Sequence, residues 1–196
     1  PAGHAPNLHV AMISTDPTTG EIIAEYPGQD YLKVQINAAT QEHFQAGSTF
    51  KPFGMIASLE QGGSLSDTYP GNSPQTIQGV PIRNFGGGSY GTVSLAQATA
   101  KSINTAYVAL NAKVGPSLTK EVAIRLGYPE DTPGLDNSLT NVLGSASPTA
   151  ANIAEAYGTI ANQGKRETVH MIRQVMDTSG AVSYTHLRAH ETPEHL

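Results

Sequence analysis

The stretch Ala46-Gly47-Ser48-Thr49-Phe50-Lys51-Pro52-Phe53 decides how this chain is read. A glycine frees the backbone, a serine follows it, and a lysine sits three residues further on. If Ser48 opens a helix, that spacing places Ser48 and Lys51 on one face, a single turn apart. An amine so placed can take a proton from a hydroxyl. The helix N-terminus adds partial positive charge where an alkoxide forms. Pro52 fits the first turn, whose amides have no intrahelical partner. These residues predict an acylating serine with a lysine base. A plainer reading, an N-cap serine and a solvated lysine, satisfies the same spacing, so the rest of the chain has to separate the two.

The composition narrows the field. With 196 residues the chain is long enough for one domain with a real core, or for most of a larger one. Apolar residues make up 38%, well above a disordered chain, and a net charge of −5 without a basic run argues against nucleic acid or an anionic membrane as main partner. There is no cysteine, so disulfides, thiolate metal sites and a cysteine nucleophile are excluded. No apolar run approaches the roughly 20 residues of a membrane helix. Pro1-Ala2-Gly3-His4 carries neither an initiator methionine nor a signal-peptide core, and reads as a start inside a longer protein.

Outward from Ser48, the pattern to Leu59 is helical and stops at Gln61-Gly62-Gly63. Upstream, Val10 to Ser14 and Glu21 to Tyr26 flank the turn residues Asp16-Pro17-Thr18-Thr19-Gly20 and predict an antiparallel hairpin. Tyr31 to Thr40 reads as an extended loop. Downstream, residues 64 to 93 are rich in Gly, Pro, Asn and Thr, with β-like pieces at Thr76-Ile77 and Val80-Pro81-Ile82. Gly86-Gly87-Gly88 lacks the Gly-Lys-Ser/Thr of a phosphate loop and reads as a turn. Ser94 to Val114 has helical spacing and ends at Gly115-Pro116, and a shorter helix is expected over Leu118 to Leu126. Ser147-Pro148 predicts an N-cap for an alanine-rich helix from Ala150 to Asn162. Val169 to Asp177 reads as a strand with a turn at Thr178-Ser179-Gly180. After Val182 the texture changes: residues 183–196 hold three histidines without a period and read as a non-native tail. His186 and His190 are four apart, as zinc ligands on a helix can be, but Pro193 breaks the helix and His190-Glu191 with His195 is not His-Glu-x-x-His.

A second constellation lies in Ala100-Lys101-Ser102-Ile103-Asn104-Thr105-Ala106. At a kink or helix entry, Ser102 could relay a proton and Asn104 could hold a substrate carbonyl and the lysine. The plainer reading is two solvated polar residues within a helix. Taken together, Gly47-Ser48-Thr49-Phe50-Lys51-Pro52-Phe53 and Ser102-Ile103-Asn104-Thr105 resemble the transpeptidase domain of penicillin-binding proteins, particularly the bifunctional class A type. The resemblance runs from about Asn7 to Gly180. It includes Asp16-Pro17-Thr18-Thr19-Gly20-Glu21 as the opening turn, Asn37-Ala38-Ala39-Thr40 as the approach to the nucleophile, and Gly144 to Gly164 as a later helix.

The resemblance implies an α+β fold of the penicillin-binding-protein and serine β-lactamase type, an antiparallel sheet with packed helices, here without its C-terminal strands. Residues 1–182 would be a partial transpeptidase domain. Ser48 would attack the carbonyl between the last two D-alanines of a peptidoglycan stem peptide, and β-lactams would acylate the same serine. Lys51 would be the base, Ser102 the proton shuttle, and Asn104 a positioner of substrate and lysine. The Ser48 backbone amide would be half of an oxyanion hole. No cofactor, metal or nucleic acid is implied. The parent protein would be membrane-anchored on the extracytoplasmic face of the bacterial cell membrane. One departure stands out: no Lys-Thr-Gly occurs in the sequence, so the chain is expected to be truncated before that motif and inactive or nearly so. The hairpin would then keep an unpaired edge. Two alternatives are a β-lactamase and a non-catalytic β-lactam-sensing or wall-binding domain. A class A lactamase needs a loop glutamate with asparagine four residues on. No glutamate here has one, and Glu130 is the nearest candidate.

Overall fold

Short apolar runs between glycine and proline turns break this chain into many small elements rather than a few long ones. The structure is a computed structural model that describes residues 8–185 apart from 29 and 31. Strands β1 (Met12–Thr15) and β2 (Ile22–Tyr26) pair antiparallel, with Met12 opposite Tyr26. The hairpin turn is set locally. Asp16 Oδ1 accepts the Thr18 N–H at 2.7 Å and its O–H at 2.6 Å, which holds the Asp16 carboxyl below its usual range. Gly20 then takes φ +78°.

The predicted extended loop over Tyr31 to Thr40 gives way at its end to a one-turn helix α1 (Ala38–Gln41), because Asn37 Oδ1 caps the Ala39 N–H at 3.0 Å. A 3-10 turn, Gly47–Phe50, leads into α2 (Lys51–Glu60), with Pro52 in its first turn as expected. The glycine-rich stretch after it is ordered by β3 (Thr68–Pro70), β4 (Gln75–Ile77), β5 (Val80–Ile82) and β6 (Thr92–Ser94). β4 and β5 form a hairpin across Gln78 and Gly79, both at positive φ, and β3 pairs antiparallel with β6. Gly86 and Gly87 also lie at positive φ in a short 3-10 turn.

The single helix expected over Ser94 to Val114 is two: α3 (Leu95–Ala100), capped by Ser94, and α4 (Asn104–Val114). The break falls at Lys101-Ser102-Ile103, where Ser102 takes φ +52° and cannot continue a right-handed helix. α5 (Pro116–Leu126) starts two residues earlier than expected, since proline suits a first turn. α6 (Ala150–Ala161) is capped by Thr149, not by Ser147-Pro148. Thr149 and Asn152 complete a reciprocal capping box that outcompetes the serine. The strand expected over Val169 to Asp177 shrinks to β7 (Gln174–Met176), paired with β8 (Val182–Thr185), while His170 makes a separate bridge to Glu21. His186, His190 and the rest of the stretch from 186 onward lie outside the described residues.

Two compact units divide the chain. The first comprises the described residues up to Phe44, Leu126–Tyr128, and those from Pro148 on. In it α6 packs on β1 and α1 around buried Ala38, Ala39, Tyr128 and Ala156. The second comprises Gln45–Arg125 and Pro129–Ser147. There α2 packs on α4, and Phe50, Phe53, Leu95, Ile103, Tyr107, Leu110, Val122 and Val142 form the core. Phe50 and Phe53 meet edge to face at 4.9 Å, and burying each contributes about 1.5–3 kcal/mol. Those two rings fix the start of α2, where the serine and lysine sit.

Candidate active site

All four residues singled out in the sequence, Ser48, Lys51, Ser102 and Asn104, belong to the second unit, and the structure brings them together. Ser48 lies in the 3-10 turn and is exposed, whereas Lys51 opens α2 and is only 3% exposed. The Lys51 Nζ is 3.1 Å from Ser48 Oγ, 2.8 Å from Ser102 Oγ, 2.8 Å from the Ser102 carbonyl oxygen and 2.8 Å from Asn104 Oδ1. The Tyr107 ring lies 5.6 Å from the same nitrogen.

This environment sets the protonation state. Burial penalises the ammonium and lowers the Lys51 pKa to about 8. Two of its four neighbours, the Ser102 carbonyl and Asn104 Oδ1, can only accept. In the neutral amine they take the two N–H groups, which leaves the lone pair facing the serine hydroxyls. An ammonium has three N–H groups for four acceptors. The cage therefore holds a lysine that can pass between donor and acceptor roles beside an exposed hydroxyl.

The backbone explains why Ser102 and Asn104 converge on it. Positive φ at Ser102 ends α3 and turns both its carbonyl and its hydroxyl toward Lys51. Ile103, 1% exposed, anchors the next step, and Asn104 starts α4. The serine turn is held from its other side. Ala46 N–H donates to the Ala146 carbonyl at 2.8 Å, and Gly47 N–H to the Gly144 carbonyl at 3.0 Å. Gly144, at φ +83°, packs so close to Gly47 that a Cβ there would overlap its backbone.

Two supporting residues have no local signal for their role in the sequence. Gly144 enters the sequence reading only as the start of a stretch that resembles a later helix. Asn84, 6% exposed, bonds to Gly71, Gly88 and Thr105, yet as one asparagine in a glycine-rich loop it gave no distinguishing signal. Among the described residues no group of three His, Asp or Glu could hold a metal ion, and no helix is long and apolar enough to cross a membrane.

The fold is that of penicillin-binding transpeptidase domains. The structure superposes on the PonA1 protein from Mycobacterium tuberculosis in complex with penicillin V with a TM-score of 0.84 at 30% identity, over 94% of this chain and 51% of that one. It also matches penicillin-binding protein 1A from Haemophilus influenzae with a TM-score of 0.83 at 29% identity, over 93% of this chain and 28% of that one. The family model for the penicillin binding protein transpeptidase domain matches residues 10–195, and the chain belongs to that family. Penicillin-binding protein 1A from Mycolicibacterium smegmatis is 32% identical over 195 residues, covering 93% of this chain. Penicillin-binding protein 1A from Neisseria gonorrhoeae is 32% identical over 183 residues, covering 89%. The chain spans about a quarter of the length of these curated relatives, 24% and 22%.

Proposed function

We propose that this chain carries the acylating half of a D,D-transpeptidase site. Neutral Lys51 takes the Ser48 proton as Oγ attacks the carbonyl between the last two D-alanines of a stem peptide. The Ser48 amide is one donor to the resulting oxyanion. The proton then passes from the Lys51 ammonium through the Ser102 hydroxyl to the departing D-alanine amine. Asn104 holds Lys51 and the substrate amide. An amine of a neighbouring stem next attacks the acyl-enzyme, forming the cross-link and releasing Ser48.

A β-lactam enters by the same first step. Its C–N bond breaks within a ring, so the leaving amine stays attached and the adduct persists. The observation that carries this reading is one buried amine within 3.1 Å of two serine hydroxyls and an asparagine oxygen. The 196 residues contain no Lys-Thr-Gly, the source of the second oxyanion donor in this reading, so the segment alone acylates slowly or not at all. We place the full-length protein in the cell envelope, membrane-anchored and facing peptidoglycan.

A fluorescent penicillin tests the reading in the full-length protein. Stable covalent labelling that disappears in Ser48→Ala supports it. Labelling that persists in Ser48→Ala, or an unlabelled wild type, sinks it. Rapid loss of the label by hydrolysis would point to a β-lactamase instead.

A further inference from the structure

We propose that Asn84 is the positioning residue of the site, fixing where α4 starts and which way the Asn104 amide faces. The proposal rests on the acyl-transfer reading above for its consequence in rate, but on geometry for its mechanism.

Helix α4 has no side-chain cap of its own, since its N-cap position is Ile103. Asn84 supplies that cap from 21 residues away. Its Oδ1 accepts the Thr105 N–H at 3.0 Å and the Thr105 hydroxyl at 3.3 Å. Its Nδ2 donates to the Gly71 carbonyl at 3.0 Å and the Gly88 carbonyl at 2.8 Å, and its own N–H donates to Ser73 Oγ at 2.9 Å. Every polar atom of the amide is thus engaged. The acceptor faces the helix and the two donors face the loop, so the side chain has one orientation. At 6% exposure, water does not replace these bonds cheaply.

The residue beside it completes the device. The Arg83 carbonyl accepts from Asn104 Nδ2 at 3.0 Å. An amide has its oxygen opposite its nitrogen. With Nδ2 committed to Arg83, Oδ1 must face Lys51 Nζ, where it lies at 2.8 Å. A flipped amide would set two donors against the amine and remove the acceptor that leaves the Lys51 lone pair for a hydroxyl. The loop carbonyl therefore selects the Asn104 orientation, and Asn84 holds that loop against the helix. Among the described residues no hydrogen bond joins Asn84 to Lys51, Ser48 or Ser102, so its part is positioning.

The test uses Asn84→Ala and Asn84→Asp in the full-length protein, with second-order acylation by fluorescent penicillin, circular dichroism, and NMR titration of the Lys51 Cε–Nζ group. Asn84→Ala is expected to fold and to acylate at least about tenfold more slowly, since a misplacement near 1 Å can cost up to about 100-fold. Its Lys51 titration midpoint should rise, because a loosened cage admits water. Asn84→Asp keeps an oxygen on Thr105 but sets its other oxygen against the Gly71 and Gly88 carbonyls, so it should free the loop and also acylate more slowly than wild type. Folded Asn84→Ala with wild-type acylation and an unmoved Lys51 midpoint overturns the proposal. If Asn84→Ala does not fold, a folded Asn84→Asp with wild-type acylation and an unmoved Lys51 midpoint overturns it. Label surviving in Ser48→Ala would refute the acyl-transfer reading, and the Lys51 midpoint would then still decide the role of Asn84.

Discussion

Burying an ammonium is unfavourable, and at Lys51 that cost favours the neutral amine that the proposed mechanism needs. With a pKa lowered to about 8, roughly one molecule in ten holds the neutral amine at pH 7, against fewer than about one in a thousand for an ordinary lysine. Acylation of Ser48 in the full-length protein should therefore rise about tenfold per pH unit below 8 and level off above it. Stopped-flow labelling with a fluorescent penicillin between pH 5.5 and 9.5 reads this directly, and a flat profile would mean that Lys51 is not the base. Lys51→Ala should acylate at least about 100-fold more slowly at every pH in that range. The same shift has a stability signature. Folded Lys51 releases its proton near 8 while the unfolded chain holds it to about 10.5, so between those values the unfolded state binds more protons and stability rises with pH. Below 8 the full cost of the buried charge is present. Lys51→Met removes that cost, so its stability advantage over wild type should be largest below pH 8 and shrink toward pH 10.5 in urea titrations.

Elements deliver these groups through two backbone positions that the side-chain pattern does not announce. At the α3–α4 break, Ser102 sits at φ +52°, where a Cβ is disfavoured by about 1 kcal/mol. Ser102→Gly and Ser102→Ala both lose the hydroxyl, and both should acylate slowly, but the glycine variant should be more stable than the alanine variant by about that amount in urea unfolding. Gly144 is the stricter case. It combines φ +83° with a Cβ position already filled by the Gly47 backbone, so Gly144→Ala must push the serine turn away. We expect at least about 2 kcal/mol of lost stability and a disproportionate loss of acylation in the protein that still folds. These positions also show what the sequence could and could not reveal. Ser48 and Lys51 are legible because three residues make one turn, and Pro52 and Gly62 mark the ends of the helix that Lys51 opens. Ser102 and Asn104 were legible as a motif but not as a break, since Leu95, Ala98, Ile103 and Ala106 keep helical spacing straight across it. β3 and β6 are three residues each, too short to show an alternating pattern. Asn84 and Gly144 act through partners 21 and 97 positions away, and no local spacing encodes such pairs.

At the scale of the whole molecule, each unit is organised by a buried polar side chain, a charged one in the first unit and an amide in the second. In the first unit Glu155, 8% exposed, accepts from Arg166 Nε and Nη2, both at 2.7 Å, and from the Val169 N–H at 3.2 Å. In the second, Asn111 of α4 is fully buried. Its Nδ2 donates to the Leu139 carbonyl at 2.8 Å and to Asn141 Oδ1 at 2.9 Å, and its Oδ1 accepts the Thr119 hydroxyl at 2.7 Å. Asn141 Nδ2 continues the chain of bonds to the Pro116 and Asp136 carbonyls. The network ties α4 and α5 to the 3-10 turn Asn141–Leu143, and that turn leads directly into Gly144 and so to the serine. Asn111→Ala takes the partner from three groups, two of them on the buried side chains of Asn141 and Thr119, and should cost about 3 kcal/mol or more, while also slowing acylation by releasing the turn. Thr119→Val removes a single bond from the same amide and should cost about 1–2 kcal/mol. Both variants delete the Thr119–Asn111 bond, so the double variant should lose less than the sum of the two. Urea unfolding of the four proteins measures that difference, and strict additivity would show that Asn111 and Thr119 act separately instead of as one buried network.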